Sequence, residues 1–210
     1  MEEMGEIKRV HGGAIGRQSL FNGLSLSEKE KIRIAEKGRI ADYAVSLVKR
    51  GDVLIVDSGS TTLQFARKLK NLEEITVITN SLNVASEFSK SDNKVILTGG
   101  EMDMDSLMLT GPLADETLKN IFADKIFMGI DGVDFTAGLT TPDIVEAKTV
   151  RLMMQAAAER ILLADSTKFG RKSIGVVSKV SELDKIITDA ALNEEERRRF
   201  EEAGVEVILV

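Results

Sequence analysis

Six consecutive residues, Asp57-Ser58-Gly59-Ser60-Thr61-Thr62, carry a carboxylate, a glycine and four hydroxyls. That set suits an anion. Hydroxyls donate, glycine lets a ligand approach the backbone, and a helix starting here would add unpaired N–H groups and the positive end of its dipole. The competing reading is plain helix capping by Ser60 or Thr61, which needs one hydroxyl and contributes about 1 kcal/mol. The turn lacks the lysine of a nucleotide-binding P-loop and the glycine spacing of a dinucleotide fingerprint, so a phosphate group fits it better than a nucleotide.

Other segments of similar character recur along the chain. In Thr79-Asn80-Ser81, Asn80 either caps a following helix, the favoured reading of that turn alone, or offers its amide to a ligand. Gly99-Gly100 makes a tight turn unless its backbone faces the same cleft. Asp131, Asp134, Glu146 and Lys148 concentrate charge, and a carboxylate near a lysine can move protons or hydrogen-bond sugar hydroxyls. Glu146 and Lys148, two residues apart, do not share a helix face, so only one of them should enter a cleft. Lys168, in Ala-Asp-Ser-Thr-Lys-Phe-Gly, is placed to be a point charge for phosphate, although most lysines are simply surface residues.

Each of these turns follows a short apolar run: VLIV, ITVIT, KVILT, KIFMGI and RILLA. Amphipathic stretches at 61–70, 82–89, 113–122 and 144–157 alternate with the runs, the pattern of parallel strands joined by helices. Continuous apolar strands are those buried on both faces. The expected class is therefore α/β, a mostly parallel sheet flanked by helices, and ligands of such sheets bind beyond the carboxyl ends of the strands. A long helix is expected over residues 26–49, which Gly38 could break. Three more strands, IGVVS, KIITD and VEVILV, are expected around one helix, NEEERRRFEEAG, whose acidic first turn suits the helix dipole. Residues 1–24 are glycine-rich without sustained periodicity and read as an arm or linker; residues 25–210 read as one domain.

Composition narrows the chemistry. With 28 basic and 34 acidic residues the net charge is −6, which disfavours binding to a phosphate backbone. There is no cysteine and a single histidine, His11, so no thiolate site, disulfide or histidine cluster can form, and no metal or cofactor is called for. No apolar run approaches the roughly 20 residues that span a bilayer, and the acidic start is unlike a signal peptide. A soluble, cytoplasmic protein without a membrane partner is expected.

Taken in order, RVHGGA, DSGSTT, ITVITNSLNVA, VILTGGE, LTGPLADETL, ADKIFMGIDGVD, GLTTPDIVEAKTVRLM, ADSTKFG and IITD resemble the effector-sensing domain of DeoR-family bacterial transcriptional regulators, from about Ile7 to the C-terminus. The resemblance implies a fold like that of ribose-5-phosphate isomerase and glucosamine-6-phosphate deaminase (the NagB/RpiA/CoA transferase-like fold). It also implies a phosphorylated sugar as effector, whose binding weakens operator binding in the typical repressor. Operator DNA would be read by a winged helix-turn-helix of some sixty residues, for which RVHGGA looks like the following linker. Nothing before residue 7 could hold such a domain, so the expectation is either a truncated piece or a natural sensor without a reader. A homodimer or homotetramer is expected, because operators are commonly read by symmetric dimers.

By the same resemblance, residues 58–62 look like the isomerase phosphate loop, residues 131–134 like its aspartate motif, residues 146–148 like the segment bearing its general base, and residues 165–168 like a further shared motif. The implied effector site therefore comprises Asp57, Ser58, Gly59, Ser60, Thr61, Thr62, Thr79, Asn80, Gly99, Gly100, Asp131, Glu146, Lys148 and Lys168. The sequence departs from the isomerases at residues 135–141, which hold no lysine where the enzymes place one before a run of glycines. Without that cation to stabilise an enediolate, the expected role is binding without turnover, the alternative being an isomerase-like enzyme with Glu146 as base. A second departure is in the helix before the first strand. Glu36-Lys37 matches the family, while Lys29 and Arg33 stand where it often has an arginine and an asparagine.

Overall fold

The computed structural model describes residues 7–10, 13–16 and 24–210. His11 and most of the arm expected over residues 1–24 lie outside the described residues. Within that arm, β1 (Ile7–Val10) and β2 (Gly13–Gly16) pair as an antiparallel ribbon, which its glycines concealed from periodicity.

The expected long helix is two. Helix α1 (Leu26–Glu30) is closed at its start by a capping box of Ser25 and Glu28, and α2 covers Ile34–Ser46. The break falls at residues 31–33 and not at Gly38, which lies inside α2. Arg33 sits there in the left-handed region, φ 55, an uncommon conformation for a residue with a Cβ. Its guanidinium reaches Asp189 at 3.0 Å and Asp165 at 3.6 Å, contacts that compensate the backbone.

The chain then alternates as expected: β3 (Val53–Val56), α3 (Ser60–Leu69), β4 (Thr76–Thr79), α4 (Leu82–Glu87) and β5 (Lys94–Leu97). A small hairpin, β6 (Glu101–Met102) with β7 (Leu109–Thr110), precedes α5 (Pro112–Lys119) and β8 (Ala123–Met128). After β9 (Gly132–Asp134) and β10 (Gly138–Thr141) come α6 (Ile144–Gln155), β11 (Ala157–Leu163), β12 (Gly175–Ser178), β13 (Lys185–Thr188), α7 (Glu194–Glu202) and β14 (Glu206–Leu209).

Seven strands form one parallel sheet in the order β14-β13-β11-β8-β3-β4-β5. Side chains alternate between its two faces. Ile55, Ile126, Met128 and Leu162 pack under α6 and α7 with Met153 and Phe200, while Leu54, Val56, Phe127 and Ile161 pack under α2 and α3 with Ile40 and Phe65. The IGVVS run is a strand, but it is outside this sheet: β12 pairs antiparallel with β10, which pairs with β9.

This strand order creates the site. From β3 the chain proceeds outward through β4 and β5, and from β8 it proceeds the other way through β11, β13 and β14. The turns after β3 and β8 therefore diverge, leaving a crevice at the carboxyl ends of these neighbouring strands.

Candidate effector cavity

A cavity of about 140 Å³ fills that crevice. Its walls come from the turn after β3 (Ser58, Gly59, Ser60, Thr61), the turn after β8 (Gly129, Ile130, Asp131), the end of β11 with Lys168, Glu146 on α6, Lys29 on α1, and Ser106 with Met108 from the β6–β7 hairpin. Seven of the residues expected from sequence thus meet in one place.

The turn after β3 is built to leave donors free. Helix α3 has Gly59 as its N-cap, with φ 149 and no side chain accepting from the first turn. Ser60 and Thr61 do not cap, as the simpler reading required. They line the cavity, whereas Thr62 is fully buried and its hydroxyl donates back to the Gly59 carbonyl at 3.0 Å. The first-turn N–H groups and three hydroxyls are thereby offered to the cavity, at the positive end of the helix dipole. A Cβ at Gly59 would stand 3.2 Å from the Thr62 hydroxyl and about 4.0 Å from Gly129, so this turn and the Asp131 turn abut.

Charge is arranged unevenly. The Lys29 ammonium lies 2.6 Å from Asp131 Oδ1 and the Lys168 ammonium 3.4 Å from the same oxygen. Burial alone would raise the Asp131 carboxyl, but Lys168 and Lys29 outweigh it and hold the group below the usual carboxylate range. Burial pushes Glu146 up to about 7, with the Asp131 charge adding to the shift. Asp57, behind the wall, accepts from the Gly129 N–H at 3.3 Å and so bridges the two turns; burial pushes its carboxyl well above the ordinary value, with the Glu146 charge adding to the shift. Two cations, Lys29 and Lys168, thus share the cavity wall with the carboxyl groups of Asp131, Glu146 and Asp105.

The pKa of Glu146 yields a pH prediction. A carboxyl whose folded value lies above its unfolded value stabilises the fold most below the unfolded value, near 4.5, and that contribution is lost as pH rises through about 7. Glu146→Gln, which cannot ionise, should therefore gain stability over wild type by about 1–3 kcal/mol between pH 5 and pH 8. Urea titrations at the two pH values read the difference, and equal gaps would contradict the burial of Glu146's charge.

Several expected site residues lie elsewhere. Thr79 donates to the Val56 carbonyl at 2.7 Å and accepts from the Ser81 N–H, tying β4 to β3. Ser81, not Asn80, caps α4, accepting from the Val84 N–H. Asn80 is fully buried outside the cavity wall, and neither end of its amide has a partner among the described residues. Gly100 serves the β6–β7 hairpin, since a Cβ there would fall 2.3 Å from the Thr110 carbonyl oxygen, and Gly99, with φ 72, turns the chain after β5 outside the cavity wall. Lys148 points away from the cavity to Asp115 at 2.6 Å, so of the pair on α6 only Glu146 enters. Asp134 builds its own turn, accepting from the N–H groups of Thr136 and Ala137. Among the described residues, no cluster of three or more His, Asp or Glu side chains is placed to hold a metal ion, and no helix is long and apolar enough to cross a membrane.

Residues 32–190 match the family model described as the DeoR C-terminal sensor domain. The chain is 37% identical over 208 residues to the HTH-type transcriptional regulator GlpR of Haloferax volcanii, covering 99% of this chain and 82% of the relative. It is 33% identical over 210 residues to the HTH-type transcriptional repressor GlcR of Bacillus subtilis, covering 81% of that protein. Among solved structures, ribose 5-phosphate isomerase A from Methanocaldococcus jannaschii aligns with 63% of this chain and 53% of its own at 22% identity and a TM-score of 0.48.

Proposed function

The chain belongs to the DeoR C-terminal sensor-domain family, and from that premise we propose that its cavity binds a phosphorylated sugar whose arrival changes the regulator's affinity for operator DNA. The observation that carries this reading is the uncapped start of α3, whose free N–H groups and hydroxyls face the same space as two lysine ammonium groups. Phosphate would sit at residues 58–61 with Lys168 beside it, leaving Asp131 and Glu146 to accept from sugar hydroxyls. DNA would be read by a helix-turn-helix outside these 210 residues. Subunit pairing into a dimer or tetramer belongs to the same proposal, since two-fold operators call for two-fold readers.

The test is thermal unfolding with glucose 6-phosphate, ribose 5-phosphate, glycerol 3-phosphate, the unphosphorylated counterparts and inorganic phosphate. A ligand at 100 times its Kd stabilises by about 2.7 kcal/mol, a shift of several degrees for a chain of this size. One phosphorylated compound should shift the midpoint and its free counterpart should not; a flat panel would remove the reading.

One observation favours a second function. Glu146, pushed up to about 7, has the poise of a general base, and although residues 135–141 hold no lysine, Lys29 and Lys168 bring ammonium groups to the same cavity from elsewhere in the chain. A coupled assay for ketose formation decides it: turnover that Glu146→Gln abolishes would make the protein an isomerase.

A further inference from the structure

Helix α1 is only five residues long, yet it and its cap bring Ser25, Leu26 and Lys29 to the cavity. Lys29 and Lys168 compete for one oxygen of Asp131. An anion arriving at the start of α3 can therefore take one of them without leaving Asp131 unpaired. The two lysines are not equally free to go. Lys168 ends a 3-10 turn (Ser166–Lys168) in which Asp165 accepts from the Thr167 N–H at 3.0 Å and Asp189 from the Ser166 N–H at 2.7 Å. Lys29 stands on a short helix cut from α2 by the break at residues 31–33.

Besides Lys29 itself, side-chain ties hold α1 to the body at its far end. The Glu30 carboxylate pairs with Arg67 at 2.8 Å, and the buried Lys37 ammonium donates to the Lys29 carbonyl. Both sit at the C-terminal end, next to left-handed Arg33, while the cavity end is held by the Lys29–Asp131 ion pair and by Leu26, which is buried. Toward the N-terminus, α1 leads back to the β1–β2 ribbon.

We propose that Lys29 exchanges Asp131 for the phosphate of the effector, and that α1 shifts with it and passes occupancy of the cavity to the chain that precedes it. The exchange rests on the reading that the cavity takes a phosphorylated ligand. It assigns Lys29 two tasks, as the second cation on the phosphate and as the group whose change of partner moves a backbone element. Differential contact of this kind is what a ligand needs to shift a conformational equilibrium.

Hydrogen exchange of the 210-residue chain tests it, with glucose 6-phosphate, ribose 5-phosphate, glycerol 3-phosphate and inorganic phosphate as probes, on wild type, Lys29→Met and Asp131→Asn. For a probe that stabilises wild type, exchange at the amides of residues 26–32 should change at least threefold. Lys29→Met should bind that probe about tenfold or more weakly and, once saturated, leave those amides unchanged. Asp131→Asn, which frees Lys29 without ligand, should show the altered α1 exchange from the start. A probe that stabilises wild type while α1 exchange stays constant, or that binds Lys29→Met as tightly as wild type, overturns the exchange and leaves the sugar-phosphate reading standing. If no probe stabilises wild type, both fall together.

Discussion

Lys168→Met should lose about 2–3 kcal/mol of affinity for the phosphorylated effector, roughly 30- to 150-fold, in an isothermal titration at neutral pH. The size follows from where the ammonium sits. Its side chain is 16% exposed, in a cavity where few waters compete for the phosphate and salt screens little. Its loss also leaves Lys29 as the sole lysine on Asp131, so the remaining cation is held more firmly away from the ligand. Affinity for the unphosphorylated sugar should change little, because that ligand presents no charge to lose. The fold should survive, since burial already lowers the Lys168 pKa and its charge is costly to keep. A loss below threefold would mean that phosphate does not meet this lysine.

Phe127→Ala should destabilise the protein by about 3–5 kcal/mol, with the unfolding midpoint lower by roughly 10 °C or more. Phe127 is fully buried in β8, at the middle of the seven-stranded sheet, and its ring lies 4.3 Å from that of Phe65 on α3. Truncation leaves a cavity beneath α3 that flanking β-strands cannot collapse to fill. The effect should reach the site as well. The Phe127 carbonyl accepts from the Asp57 N–H at 3.0 Å, and Gly129 and Asp131 follow directly, so slack in β8 loosens both turns of the crevice. Against a total stability of 5–15 kcal/mol for typical domains, such a loss is large. A urea midpoint within 1 kcal/mol of wild type would show that the Phe65–Phe127 contact is not central to the core.

How much of this was readable before the structure depends on which force left a trace in the local sequence. The strands of the main sheet were legible because burial on both faces makes VLIV and RILLA continuous runs. Of the antiparallel sheet only β12 was: β9 and β10, GVD and GLTT, have neither continuous nor alternating apolar character, and Gly138 turns there with φ 86. Reading the residues after each strand found Ser58, Gly59, Ser60, Thr61, Asp131 and Lys168, all from turns that flank the crevice or the strand next to it. The same rule overreached at Thr79, Asn80, Gly99 and Gly100. Strands β4 and β5 lie progressively farther from the β3–β8 switch point, so their turns end away from the cavity.

Lys29 shows the opposite failure. It lies about 100 residues before its partner Asp131, on a helix whose charged positions read as a solvated face. The one local signal was its place just ahead of Glu36-Lys37, where the DeoR family often carries other polar residues. Only the tertiary fold brings α1 over the ends of β3 and β8.

On the reading proposed above, the start of α3 holds the phosphate of a sugar-phosphate effector. Amide chemical shifts of isotope-labelled protein, titrated with a stabilising sugar phosphate and then with its unphosphorylated counterpart, test it most directly. The largest shifts should fall at the N–H groups of residues 58–62, present with the phosphorylated ligand and absent with the free sugar. Shifts of equal size with both ligands, or shifts centred elsewhere while residues 58–62 stay still, would contradict it.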